Sequence, residues 1–201
     1  MKVGSALLAE VERAAAETGA PILRAAERGR FRKILRQVAP RRILEIGTAI
    51  GYSALFMLIE SDPAATLVTL EKEPGLAARA AAFFRKSSFA ARIDLRRGEA
   101  EDILPTLSPG FDFVFLDGAK GQYPAYWEKI QPLLSDKAVV AADNVLFQGL
   151  VEGDPWVAHR YRTLVYRLRE YLALVRAAAG YRTEVFPEGD GLAVSWRHWE
   201  R

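Results

Sequence analysis

Between Arg42 and Ala142 short apolar runs alternate with segments of helical periodicity, and no other feature of the chain restricts its fold as much. Arg42–Ile46 (RILEI), Ala65–Leu70, Arg92–Arg97, Phe111–Leu116 (FDFVFL) and Lys137–Ala142 (KAVVAA) read as strands. Helices are expected from the turn after Ile46 through Ile59, over Gly75–Lys86, over 99–107 and over 122–134. Strands that alternate with helices pack as a parallel, doubly wound α/β sheet with right-handed crossovers. Continuous apolar runs such as FVFL and AVVAA suit strands covered on both faces.

The two ends depart from that rhythm. Residues 5–18 form an Ala-rich amphipathic segment, and a second helix follows Pro21. Its stripe is Phe31, Ile34, Leu35 and Val38, and Pro40 ends it because proline cannot continue the helical ladder. Near the other end a helix over about 158–178 carries Leu164, Leu168, Leu172 and Val175 on one face. Arg182–Phe186 and Leu192–Trp196 then flank a Gly-Asp-Gly turn, the signal for an antiparallel hairpin. A parallel sheet finished by a hairpin is the Rossmann-like outline of class I methyltransferases. With no repeat, linker or low-complexity tract, residues 1–201 read as one domain, with N-terminal helices (1–40) before a binding core (41–201).

Composition removes several chemistries. The chain has no cysteine, which excludes disulfides, thiolate catalysis and zinc–thiolate sites, and its two histidines cannot build a His-rich metal centre. No stretch approaches 18 consecutive apolar residues, and the first 19 residues carry Glu10, Glu12, Arg13 and Glu17 rather than a secretory core. The expectation is a cytoplasmic protein without a membrane span.

Open α/β sheets bind ligands at the carboxyl ends of their strands. At that position the first strand continues as Glu45-Ile46-Gly47-Thr48-Ala49-Ile50-Gly51-Tyr52-Ser53. Its glycines are spaced Gly-x3-Gly, which matches neither the dinucleotide fingerprint nor a P-loop. Glu71 ends the second strand, where a carboxylate can accept hydrogen bonds from both ribose hydroxyls of an adenosine ligand. The fourth strand ends in Asp117-Gly118-Ala119-Lys120 and the fifth in Asp143-Asn144. Adjacent strands would bring together three oxygen donors, Asp117, Asp143 and Asn144, a set suited to Mg²⁺ or another hard divalent cation such as Mn²⁺ or Ca²⁺. A cation there can bind two vicinal substrate oxygens, with Lys120 as the base. Each residue also has an ordinary structural use: Asp-Asn pairs form Asx turns, and loop lysines are commonly solvated.

These residues resemble the cation-dependent, S-adenosylmethionine-using O-methyltransferases of the catechol and caffeoyl-CoA type, from about Pro21 to Trp196. The resemblance rests on Leu44-Glu45-Ile46-Gly47, Gly51-Tyr52-Ser53, Gly98 to Ala100, Asp117 and Asp143-Asn144. It implies that Glu45, Gly47 and Ser53 surround the methionine part of the cofactor and that Glu71 holds the ribose. Ala100 and Asp117 would lie near the adenine and the sulfonium, and Ile22–Arg24 would close over the cofactor. Asp117, Asp143 and Asn144 would be the metal ligands and Lys120 the base. GTAIGYSA (47–54), AKGQY (119–123), DNVLFQGLV (143–151) and GDGLA (189–193) look most like the bacterial tRNA 5-hydroxyuridine methyltransferases, which make 5-methoxyuridine at the wobble position. Gly118 stands where alanine is expected and Gln148 where arginine is expected. Related enzymes are usually dimers, with the N-terminal helices as interface material.

The 4-oxo and 5-hydroxy oxygens of 5-hydroxyuridine are vicinal, as in a catechol, so the donor set does not separate the two substrates. Charge placement favours RNA: residues 1–42 carry 10 basic and 4 acidic residues (+6), 43–157 carry 10 and 16 (−6), and 158–201 carry 8 and 5 (+3). Arg28, Arg32 and Arg36 recur every four residues off the apolar stripe, with Arg30, Lys33, Arg41 and Arg42 nearby. Arg160, Arg162, Arg167 and Arg169 flank the core face of the late helix, and arginine suits phosphate. The expectation is methylation of 5-hydroxyuridine in tRNA. The alternative is a catechol or phenylpropanoid O-methyltransferase, for which Phe147, Tyr123, Trp127 and Trp156 could line an apolar wall. A non-catalytic nucleotide-binding module is disfavoured by the three oxygen donors and Lys120.

Overall fold

Two helices, α1 (Lys2–Thr18) and α2 (Ala25–Val38), lead into β1 (Arg42–Ile46) in the computed structural model, which describes residues 2–153 and 157–198. Phe31, Ile34 and Leu35 are buried as the stripe requires, and Val38 is half-buried at its end. α2 stops at Ala39, whose left-handed backbone lets its N–H donate to the Leu35 carbonyl at 2.7 Å before Pro40.

After β1 come α3 (Tyr52–Glu60), β2 (Thr66–Glu71), α4 (Pro74–Lys86), β3 (Ile93–Arg97) and α5 (Ala100–Ile103). β4 (Phe111–Leu116), α6 (Tyr123–Ile130), β5 (Leu134–Ala142), α7 (Arg162–Ala177), β6 (Tyr181–Phe186) and β7 (Leu192–Arg197) follow. The strand order is β3-β2-β1-β4-β5-β7-β6, parallel through β5, with β7 antiparallel to both β5 and β6. This is the expected Rossmann-like winding with a terminal hairpin. β1 pairs with both β2 and β4, so the winding reverses there and opens a crevice at the strand carboxyl ends.

Successive strand residues face opposite sides. Leu44, Leu116 and Val140 pack with Trp127, Leu168 and Tyr171, whereas Ile43, Phe115 and Val139 pack with Phe31 and Phe56. The Phe31 ring lies 4.7 Å from that of Phe115 and binds α2 to the sheet.

Most strands and helices begin or end within a few residues of expectation, and two differences have a clear physical cause. Pro132 cannot donate to the ladder, so the helix expected to 134 ends at Ile130 and continues as a 3-10 turn over Gln131–Leu133. β5 consequently begins at Leu134, opposite Phe111, with a register shift before Val139 meets Phe113. On α7 the buried face is Val165, Leu168, Tyr171, Leu172 and Val175, and Leu164 sits at its margin. No helix among the described residues is long and apolar enough to cross a membrane.

Candidate active site

The site is built from the turns that leave β1, β2, β4 and β5. Gly47 has a φ of 104°, and a Cβ on it would lie 2.6 Å from the Asp117 carbonyl oxygen. Only glycine lets the two turns pass so closely. Gly118 is less restricted: a methyl there would lie 3.2 Å from the Ile46 carbonyl oxygen, a tight contact that a small shift of the turn would relieve.

The crevice holds a cavity of about 560 Å³. On the β2–β3 side it is lined by Gly47, Ala49, Glu71 and Gly98–Ala100, and on the β4–β5 side by Asp117, Lys120, Asp143 and Asn144. Pro21, Ile22 and Arg24 add to its wall, where the N-terminal segment was expected to close. The Glu71 carboxylate accepts the Ala49 N–H (2.8 Å) and the Glu73 N–H (2.9 Å), which orient it and leave lone pairs for further donors.

Asp117 and Asp143 stand at the ends of paired strands, and the Asp143 N–H donates to the Leu116 carbonyl at 2.9 Å. Tyr123, buried beneath, directs its hydroxyl to the carbonyl oxygens of Leu116 (2.9 Å) and Asp143 (3.0 Å) and ties these ends together. Lys120 Nζ lies 3.3 Å from Asp117 Oδ1. Burial raises the pKa of Asp143, and the charges of Asp117 and Glu27 raise it further. Burial also raises that of Asp117, against the opposing effect of Lys120. Asn144 has a φ of 56°, a left-handed conformation that asparagine tolerates better than most residues. Phe147 and Gln148 share that conformation, with φ values of 40° and 57°. Among the described residues no three carboxylate, imidazole or thiolate groups converge, so the donor set is two carboxylates and an amide.

Glu45 and Ser53, expected around the cofactor, stand one layer behind the cavity wall. Glu45 is fully buried and accepts the hydroxyls of Ser53 and Thr69, each at 2.5 Å. Burial pushes its carboxyl up from 4.5 to about 7, while the two hydroxyls oppose the shift. An acid with a raised folded-state pKa stabilises the fold fully below its unfolded value, and the contribution is lost as pH rises through the folded value. In the ligand-free protein, Glu45→Gln is therefore expected to remove a loss of about 3 kcal/mol between roughly pH 4.5 and 8. Denaturant melts of both proteins across that range check this; parallel pH profiles would count against it.

Two acids that the sequence reading passed over lie beside the site. Glu27 of α2 is 1% exposed and accepts the backbone N–H groups of Arg24 (3.2 Å) and Asp190 (3.0 Å). Asp190, read only as part of a turn, accepts Arg24 Nη2 (3.2 Å) and the Gln148 N–H (2.7 Å). The spacing Arg24-x-x-Glu27 is that of a capping box, a signal hidden by an arginine at the cap.

The expected basic face has other uses. Arg28 pairs with Glu12, Arg30 with Glu188, and Arg32 and Arg36 both with Glu60. Arg41 pairs with Asp62, and Arg42 donates to the carbonyls of Ser108 and Pro109. Arg162 donates to the Val157 carbonyl and Arg169 to those of Leu150 and Val151, whereas Arg167 pairs with Glu170. Arg160 stacks over the Tyr161 ring. Of the residues expected to form an aromatic wall, Tyr123 and Trp127 are core residues, and Phe147 packs edge-on against Tyr161. Trp156 lies outside the described residues.

A Rossmann-like sheet closed by a hairpin, with a glycine turn and an acidic strand end around one cavity, defines the methyltransferase class. The chain matches the O-methyltransferase family model over residues 3–198, and it belongs to that family. It is 35% identical to a catechol O-methyltransferase of Mycobacterium tuberculosis over 153 residues, 74% of this chain and 70% of the relative. It is 34% identical to a catechol O-methyltransferase of Niastella koreensis over 142 residues, 68% of this chain and 64% of the relative. The chain thus spans about two thirds of the length of these curated relatives. The structure superimposes on an O-methyltransferase from Bacillus cereus in complex with SAH with a TM-score of 0.84, at 25% identity, covering 96% of this chain and 90% of that one.

Proposed function

We propose that this protein methylates one of two vicinal oxygens on a catechol-type small molecule, using S-adenosylmethionine and a divalent cation. The observation that carries the reading is the convergence of Asp117, Asp143, Asn144 and Lys120 on the cavity that also receives Glu71. Glu71, Gly47 and Ala100 would hold the cofactor, and the SAH-bound Bacillus cereus neighbour supports that choice of ligand. Asp117, Asp143 and Asn144 would hold Mg²⁺, Mn²⁺ or Ca²⁺. The donor set fits such an ion: it is all oxygen, and Asp117 and Asp143 are buried together with Glu27 nearby, so their repulsion is relieved by a cation.

When bound, the cofactor supplies a methyl group on a sulfonium leaving group and the cation supplies a Lewis acid for vicinal oxygens. The chain's own residues do the rest. Lys120 would stand beside the acceptor and, once it has given up its own proton, take that of the hydroxyl; its Nζ pairs with Asp117 at 3.3 Å. Tyr123 fixes the two acid-bearing strand ends relative to each other, so the acceptor meets a pre-formed set of groups.

5-Hydroxyuridine in tRNA presents the same oxygens and remains the second acceptor to assay, supported by the likeness of residues 119–123 and 143–151 to that group. The small molecule is preferred because Arg28, Arg30, Arg32 and Arg36, four of the basic residues that were to meet phosphate, are paired with Glu12, Glu188 and Glu60. Labelled S-adenosylmethionine should methylate catechol or caffeate, chelation should abolish the product, and added Mg²⁺ should restore it. Product formed only on hypomodified tRNA would overturn the small-molecule reading, and chelator-resistant turnover would overturn the cation requirement.

A further inference from the structure

Among the described residues three cations line the cavity: Arg24, Lys72 and Lys120. Lys120 bonds to Asp117, and Lys72 pairs with Glu99 at 3.5 Å. Arg24 differs from both. Its Nη2 bonds to Asp190 Oδ2 at 3.2 Å, while its Nε and Nη1 have no acceptor among the described residues and its side chain is 54% exposed. Guanidinium carries five N–H donors, so most of its capacity faces the cavity and solvent.

Arg24 is nevertheless held in place. Its backbone N–H donates to Glu27, whose other oxygen accepts the Asp190 N–H. The second oxygen of Asp190 accepts the Gln148 N–H, and the Asp190 carbonyl accepts that of Leu146 at 2.9 Å. Asp190 thus fastens the guanidinium to the loop that begins at Asp143-Asn144, where the acceptor would sit. A guanidinium with free donors, held at the same wall as Asp117 and Asp143, is a site for one anionic group. Arg28, Arg30, Arg32 and Arg36 of the adjoining α2 are each paired with a carboxylate and are not among the residues that line the cavity.

We propose that Arg24, positioned by Asp190, binds an acid group on the acceptor, so that preferred acceptors are vicinal-oxygen compounds bearing a carboxylate. This rests on the acceptor chemistry given under Proposed function. One charge-assisted hydrogen bond corresponds to a preference of about tenfold or more.

The test compares 3,4-dihydroxybenzoate with catechol. Wild-type protein should favour the acid about tenfold in kcat/KM, mainly through KM. Arg24→Gln should remove that preference, Arg24→Lys should return part of it, and Asp190→Asn should weaken it. Calorimetric binding of the two compounds in the presence of S-adenosylhomocysteine and Mg²⁺ should show the same ratio without turnover. A wild-type enzyme that treats both compounds alike, or a loss in Arg24→Gln that falls equally on both, overturns the role of Arg24 alone. Turnover of neither compound, with or without methylation of tRNA, overturns the acceptor chemistry and the role of Arg24 with it.

Discussion

Asp143→Ala is expected to lower methyl transfer by about a thousandfold, or ~4 kcal/mol of barrier, with no loss of thermal stability at pH 8. The two halves of this result have separate causes. Asp143 is 3% exposed at the end of β5, and its pKa is raised by burial and by the charges of Asp117 and Glu27. An ionised group in that position destabilises the ligand-free fold increasingly as pH rises, so its removal relieves repulsion. Its carboxylate accepts only the Asn144 N–H among the described residues, at 2.7 Å, so little packing depends on it. Thermal melts and methyl-transfer assays on the same preparation check both halves. Full activity in the variant would sink the proposed cation site, and a lower melting temperature at pH 8 would show that Asp143 is structural.

Gly47→Ala has the largest expected effect on stability. The residue combines a φ of 104° with a Cβ position 2.6 Å from the Asp117 carbonyl oxygen and 2.8 Å from the Gly118 nitrogen. Both neighbours are backbone, so neither can rotate away. Strain and displacement together should cost about 3 kcal/mol, equivalent to a fall of roughly 6–12 °C in Tm for a domain of this size. The β1 and β4 turns would also separate, and binding of S-adenosylhomocysteine should weaken beyond detection by calorimetry. Gly75→Ala is the control: nothing lies within 4 Å of its Cβ position in α4, so its Tm should change little. Equal effects in the two variants would mean that the close approach at Gly47 is not what requires glycine.

β1 and β4 were legible residue for residue, since each is a short apolar run bounded by turn residues. The donor residues were legible for a related reason. A parallel sheet places strand carboxyl ends side by side, so Glu71, Asp117, Asp143 and Asn144 could be located from strand boundaries alone. The α6–β5 junction was misjudged because Pro132 converts the last helical turn to a 3-10 turn and lengthens β5. On α7 the apolar residues occupy a broad arc, and packing against the sheet selected Val165 and Tyr171 over Leu164.

The charged residues show where reading the sequence stops. Periodicity placed Arg28, Arg32 and Arg36 on the polar face of α2, but their partners Glu12 and Glu60 lie on other elements. Glu27 and Asp190 are 163 residues apart, and the spacing of Glu27 from Arg24 signals a helix start but not its contact with Asp190. By itself the sequence determined the winding of the sheet and the oxygen donors at its strand ends, because both follow from local periodicity and chain order. Only the tertiary structure decided which charges are paired and that Arg24 keeps free donors. Ion pairing depends on distances of a few ångströms between segments whose separation along the chain carries no trace of that contact.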